Sequence, residues 1–416
     1  MWPKSVVSKI LGKRFGSNNF VADLSRADME TALAPEVPGL EQLSSYYDTK
    51  SLLDHRKETH NYKIFVSTWN VGGFAPGDDL SIEDWLDIRD NPCNIYVLGF
   101  QEAVPLKFST VLGSENPTIQ AKWNAVIGKS LNRTGHKQDK FHCIMSKQMV
   151  GILVTIWVPS ELLACISHPS ASCVGCGVMG YLGNKGSVTV RFELHGTSFC
   201  FVCTHLASGN RQADHILRNS NAAEILSRTS FPGGPSLHSS RKILDHDRVI
   251  LLGDLNYQIS LPEATTRSLV ERSEWNKLLE HDQLKAELGN GRVLQGWQEG
   301  RIDFVPTYKY CPNSDVYYGT GHENSKGGRR RAPAWCDRII WRGEGLKQHL
   351  YTRGESKLSD HRPVKAIFTT QVGVLLKLEG LRSFFTSQSF EQIKNVSADE
   401  ISYSVARRAF KFLSVD

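Results

Sequence analysis

Several stretches of this sequence close or open an apolar run with a residue able to hold a cation or move a proton. Asn70 ends Ile-Phe-Val-Ser-Thr-Trp, Glu102 follows Tyr-Val-Leu-Gly-Phe-Gln, and His205 follows Phe-Cys-Phe-Val-Cys-Thr. Asp254 and Asn256 follow Val-Ile-Leu-Leu-Gly, and Asp360-His361 precede Arg-Pro-Val. Any one of these reads as a cap or turn residue. Their repetition at strand ends points instead to a shared sheet rim that meets solvent. Asp254 and Asn256 stand two apart, so an extended chain aims both to the same side. Oxygen-rich ligands without a histidine–cysteine cage suit a hard ion, Mg²⁺ rather than Zn²⁺. Histidine and aspartate together orient water, and histidine donates to a phosphoryl oxygen. Phosphate-ester hydrolysis is very slow without a catalyst and calls for a metal plus several positioned donors. The residues therefore read as an apparatus for metal-assisted phosphoester hydrolysis.

The elements that carry them alternate between strand and helix. Strands are expected over Lys63–Asn70, Cys93–Phe100, Phe141–Met145, Met149–Val158, Lys185–Glu193, Ser198–Thr204, Arg248–Gly253, Asp337–Trp341, Lys347–Thr352 and Pro363–Thr369. Helices are expected from Ser81, over Thr118–Arg133, Asn210–Arg228, Pro262–Arg272 and Glu274–Leu288. The order lacks a strict βαβ rhythm, which predicts a layered α/β sandwich with mixed sheets. Residues 1–59 are expected to form an N-terminal extension, 60–370 the folded domain that carries the candidate site residues, and 371–416 a basic, weakly patterned C-terminal extension.

Two phosphate-loop patterns fail on context. Gly175-Cys-Gly-Val-Met-Gly180 fits GxGxxG, but strand rather than helix follows it. Gly128-Lys129-Ser130 resembles the end of a nucleotide-binding loop, but Trp123 stands where the first glycine belongs. A glycine-rich turn is the better account, with Lys185 either structural or in contact with phosphate. Cys200 and Cys203 are three apart on a strand and point to opposite faces, so they do not share a metal. Nine cysteines, scattered through apolar strands, argue for a reducing, cytoplasmic setting rather than a disulfide framework. The longest apolar run falls far short of the ~20 residues that span a bilayer. The leader has no secretory pattern, although Lys4, Lys9, Lys13 and Arg14 beside Val6, Val7, Ile10 and Leu11 leave a short membrane-surface helix open. With 49 Lys+Arg against 43 Asp+Glu the formal charge is +6, a mild bias toward anionic partners.

The motifs together resemble the inositol polyphosphate 5-phosphatases, and plant members in particular, within the endonuclease/exonuclease/phosphatase superfamily. The resemblance is carried, in family order, by Thr68-Trp-Asn-Val-Gly-Gly73, Phe100-Gln-Glu102, Gly183-Asn-Lys-Gly186, Thr204-His-Leu206 and Gly253-Asp-Leu-Asn-Tyr257, then by Pro333-Ala-Trp-Cys-Asp-Arg-Ile339 and Ser359-Asp-His361. It implies a DNase I-like, four-layered α/β sandwich of two mixed β-sheets flanked by helices. It also implies that Glu102, with Asn70 as neighbour and Asp360 in the same cluster, holds a catalytic Mg²⁺. By the same resemblance Asp254 orients or deprotonates the attacking water, and Asn256 and His205 contact the scissile phosphate. His361 stabilises phosphoryl charge, braced by Asp337; a neighbouring carboxylate favours imidazolium and fixes its tautomer. Tyr308, Lys309, Arg329 and Arg331 match the family's clamp for a neighbouring 4-phosphate, for which arginine supplies a fork of donors.

The expected reaction is Mg²⁺-dependent removal of the 5-phosphate from soluble inositol polyphosphates, from phosphoinositide lipids, or from both. A superfamily nuclease and a catalytically dead phosphoinositide-binding scaffold are the competing readings. Expected partners are the inositides and, transiently, an anionic membrane surface. Nucleic acid is not expected, because no extended basic strip interleaved with aromatics occurs.

Overall fold

The computed structural model describes residues 57–77, 80–105, 117–133, 140–177, 183–211, 213–232, 242–290, 293–319 and 331–375. The basic leader, most of the C-terminal extension and Arg329 lie outside these residues.

Strand β1 (Lys57–Asn70) pairs in parallel with β2 (Ile95–Gln101), setting Asn70 against Gln101. Every residue of β2 is buried, as its unbroken apolar run requires of a strand covered on both faces. β3 (Phe141–Met149), β4 (Ile152–Pro159), β11 (Leu346–Arg353) and β12 (Val364–Leu375) complete the first sheet, in the order β11-β12-β1-β2-β4-β3. The second sheet is built from β5 (Ile166–Gly175), β6 (Gly186–Leu194), β7 (Thr197–His205), β8 (Arg248–Asp254), β9 (Gln298–Glu299) and β10 (Asp337–Arg342), in the order β5-β6-β7-β8-β10-β9. β7 and β8 are parallel, and β8 and β10 antiparallel. Both sheets are therefore mixed.

Three apolar layers hold them. Val66, Val97 and Val154 of the first sheet meet Val190, Phe201 and Leu252 of the second in the central core. The helices α1 (Glu83–Leu86) and α2 (Pro117–Leu131) cover the first sheet's outer face, where Trp85 and Trp123 pack with Trp69 and Phe100. The second sheet's outer face is covered by α3 (Asp214–Arg228), through Ala222 and Ile225, and by Leu284 of α6 (Gln283–Asn290). Helix, sheet, sheet and helix form the expected four layers.

The differences from expectation are local. β5 has no counterpart among the expected strands, because Ser167, His168, Ser170 and Ser172 break the apolar signal of an edge strand. The helix expected over Glu274–Leu288 is two, α5 (Trp275–Leu279) and α6, after α4 (Glu263–Glu271). Between them Asp282 is buried and accepts from Arg338 Nη1 on both carboxylate oxygens, at 3.1 and 3.0 Å. Ser81 does not cap α1, whose N-cap is Ile82 with no side-chain bond. Gly128-Lys129-Ser130 lies inside α2 and so forms no phosphate loop, and Gly175 closes a strand, the rest of its pattern from residue 178 lying outside the described residues. Cys200 faces the outer core and Cys203 the central one. Among the described residues no helix is long and apolar enough to cross a membrane.

Candidate active site

The parallel pairs carry Asn70, Glu102, His205 and Asp254 to one rim, because parallel neighbours end on the same side. Asn70 Nδ2 crosses from β1 to Asp254 Oδ2 on β8 at 3.0 Å and lies 3.4 Å from Glu102 Oε1. His205 stands opposite Asp254 in register, with Nε2 at 3.2 Å from Oδ2. Asp337, first residue of β10, is the antiparallel partner of Asp254. It reaches His361 Nδ1 at 2.9 Å, and Thr307 Oγ1 donates to the same carboxylate oxygen at 2.7 Å.

Asn256 is not aligned with Asp254 by strand alternation. Its φ is +56°, so the chain turns there; its N–H donates to Asp254 Oδ1 at 3.0 Å and its Nδ2 to Leu206 O at 3.1 Å. Glu102 also has a left-handed backbone, φ +50°. Two non-glycine residues in this region, both at strand ends in one site, mark strain concentrated where geometry matters.

The electrostatics follow from burial and neighbours. Burial opposes ionisation of Asp254, but the hydrogen bond from His205 and the positive fields of His361 and Lys185 hold its carboxyl below the usual range. Burial would lower the His361 imidazole, yet Asp337 beside it raises the pKa to about 9. His205 is pushed down by burial and by Lys185, whose Nζ contacts its Nε2. Lys185 is itself lowered by burial, against the pull of Asp254 and Glu102. The rim thus pairs a carboxylate with an imidazolium on one side and a neutral imidazole on the other.

Whether a hard cation fits is decided by the donors. Asp254, Asp337 and His361 bring ligand atoms within 4.8 Å of one another. That group is already spent on the Asp337–His361 and His205–Asp254 contacts. Glu102 is different: its side chain is 31% exposed, and the neutral His205 ring comes no nearer than 3.9 Å, Nε2 to Oε1. Glu102 and the Asn70 amide make an oxygen-bearing corner suited to a hard divalent cation. Asn70 Oδ1 now accepts from Gly72 N at 3.0 Å, so offering it to a cation requires exchanging the two ends of the amide. Asp360 sits at the same rim, but Lys309 Nζ engages its Oδ2 at 2.8 Å.

The basic group expected for substrate lies against this machinery. Tyr308 packs against His361 with ring centroids 4.3 Å apart and planes tilted by 34°, and Arg331 donates to the Tyr308 hydroxyl. Lys309 Nζ is 5.6 Å from the Tyr308 ring. Thr307 escapes a reading of the sequence as a site residue although it directly precedes Tyr308; its contact with Asp337 is what distinguishes it.

The fold and rim define a class, and the chain belongs to it: the model of Endonuclease/Exonuclease/phosphatase family 2 matches residues 67–367. Within that class the chain belongs to the inositol polyphosphate 5-phosphatase family. Type IV inositol polyphosphate 5-phosphatase 9 of Arabidopsis thaliana is 56% identical, over 94% of this chain and 96% of that protein. Type I inositol polyphosphate 5-phosphatase 8 of the same plant is 41% identical, over 89% and 86%. Among solved structures, the inositol polyphosphate 5-phosphatase domain of SPsynaptojanin in complex with inositol (1,4)-bisphosphate and calcium ion is 31% identical with a TM-score of 0.69. The likeness covers 80% of this chain and 91% of that one.

Proposed function

We propose that this protein hydrolyses the 5-phosphate of inositol polyphosphates and phosphoinositides with Mg²⁺ held by Glu102 and Asn70, near Asp360. The observation that carries the reading is one rim joining Asp254, His205 and the Asp337–His361 pair to the Tyr308–Lys309–Arg331 group. The cation, when bound, neutralises phosphate charge and lowers the barrier to in-line attack. Asp254, kept ionised, accepts a hydrogen bond from the attacking water and orients it. Asn256 and His205 contact the scissile phosphate. The His361 imidazolium donates to a phosphoryl oxygen, its orientation fixed by Asp337 on Nδ1 and Tyr308 on its face. Lys309 and Arg331, with Arg329 from the same segment, recognise a phosphate next to the scissile one; Lys309 exchanges Asp360 for that phosphate as substrate enters.

The test is phosphate release from inositol 1,4,5-trisphosphate and from vesicles containing phosphatidylinositol 4,5-bisphosphate, with Mg²⁺ and with EDTA. Release that stops with EDTA is expected. Asp254→Ala and His361→Ala should each lower kcat by about 10²-fold or more. No release from either substrate under Mg²⁺ would overturn the assignment.

A further inference from the structure

Arg218 of α3 is fully buried, yet among the described residues no carboxylate pairs with it. Both terminal nitrogens of its guanidinium donate to neutral oxygens, while Nε has no hydrogen-bond partner among the described residues. Nη1 donates to Ala207 O at 3.3 Å and Gly209 O at 3.1 Å, and Nη2 donates to Gln283 Oε1 at 2.8 Å. The guanidinium carbon stands 5.6 Å from the Tyr257 ring. A desolvated cation with no carboxylate in contact is costly, and burial lowers its pKa against the more distant pull of Asp214 and Asp254. A planar fork that spans three acceptors at once is what arginine offers and lysine does not.

The acceptors share one property: they connect to the two loops that leave the rim. Ala207 and Gly209 follow His205. Gln283 Oε1 also accepts from Gln258 N at 2.9 Å, so it ties Arg218 to the loop that follows Asn256. The two loops are stitched further by Asn256 Nδ2 on Leu206 O and by Leu206 N on Asp254 O, the latter at 3.0 Å. Asn221, on the same helix, accepts from Ala207 N at 3.1 Å.

We propose that Arg218 is a positioning residue for phosphoryl transfer, one that sets the separation of His205 and Asn256 by bracketing the loops behind them. It does so without touching substrate, and the proposal rests on the function given above. A misplacement of about 1 Å at reacting groups costs about 10²-fold in rate, while binding through the separate basic group is untouched.

Three variants decide it: Arg218→Met, Arg218→Lys, and Gln283→Ala, which removes the acceptor shared with Gln258. Each is assayed for kcat and KM on inositol 1,4,5-trisphosphate with Mg²⁺, for thermal midpoint, and for amide hydrogen exchange over residues 205–209 and 256–258. Arg218→Met should lose about 10²-fold in kcat with KM within about threefold of the parent, and exchange in both loops should quicken. Arg218→Lys should regain the thermal midpoint but only part of kcat. Parental kcat in any folded Arg218 variant, or unchanged loop exchange, would overturn the proposal. If Arg218→Met does not fold, Arg218→Lys and Gln283→Ala decide the question by the same two readouts. A parent protein that releases no phosphate refutes the function alone, and loop exchange still decides the bracket.

Discussion

His361 depends chiefly on one neighbour for its charge, with Asp254 and Asp360 adding to it. Burial alone would leave it a neutral imidazole, and Asp337 at 2.9 Å reverses that, raising its pKa to about 9. The consequence for stability has a definite sign. A histidine raised on folding contributes stability that is complete below its unfolded value of about 6.5 and is lost as pH rises through its folded value. In metal-free protein, the difference in unfolding free energy between the parent and Asp337→Asn should be largest near pH 6 and smallest near pH 10. The pH-dependent part should reach about 3.5 kcal/mol, because the rise from about 6.5 to about 9 spans about 2.5 tenfold changes in proton affinity at about 1.4 kcal/mol each. Urea unfolding across that range measures it. A difference that does not change with pH would mean that the pair is neutral when buried. The pairing itself is legible in the sequence only through a resemblance of motifs: Asp337 and His361 are far apart in the chain, and nothing in either stretch alone joins them.

Strands show why some of the molecule is legible in its sequence and some is not. The run Val-Ile-Leu-Leu of β8 announces a strand buried on both faces, and polar residues at such ends mark the rim. β5 carries no such signal, because its serines hide it. Arg218 reads as nothing more than a charged helix residue, since its partners lie on other elements. Asn256 lies against Asp254, but the turn at φ +56° places it there rather than strand alternation. Register is the property that elements add to residues. β7 and β8 set His205 opposite Asp254, and Gly253 lies one rung back, opposite Thr204. A Cβ at Gly253 would overlap the Thr204 carbonyl oxygen and hydroxyl. Gly253→Ala must therefore push the two strands apart beside the site. It should cost about 1–3 kcal/mol by urea unfolding and lower kcat disproportionately for so small a change. Parental stability in that variant would show that the strands separate freely there, contrary to the packing.

At the scale of the whole molecule, the site is divided between two sheets. The first brings Asn70 and Glu102 to the rim, the second His205, Asp254 and Asp337, and the Asn70–Asp254 hydrogen bond of 3.0 Å spans the gap. That span requires the sheets to approach closely behind the rim, and Gly99 of β2 is where they do. A Cβ at Gly99 would lie 2.7 Å from Cys203 Sγ on β7 and 2.8 Å from Leu252 on β8, closer than carbon atoms tolerate. Gly99→Ala should therefore widen the sandwich, costing about 1–3 kcal/mol, and should weaken catalysis by stretching the Asn70–Asp254 span. The cause can be isolated. Cys203→Ala removes the nearer obstacle and leaves a Cβ at an ordinary 3.5 Å. Alone it should destabilise, by opening a small cavity and removing the sulfur that accepts from Gln101 Nε2 at 3.4 Å. Combined with Gly99→Ala it should recover part of both stability and kcat, with a favourable coupling of about 1 kcal/mol in the double-mutant cycle. Strictly additive costs would locate the spacing of the sheets elsewhere; recovery of kcat together with stability would tie the chemistry at the rim to the packing between the two sheets.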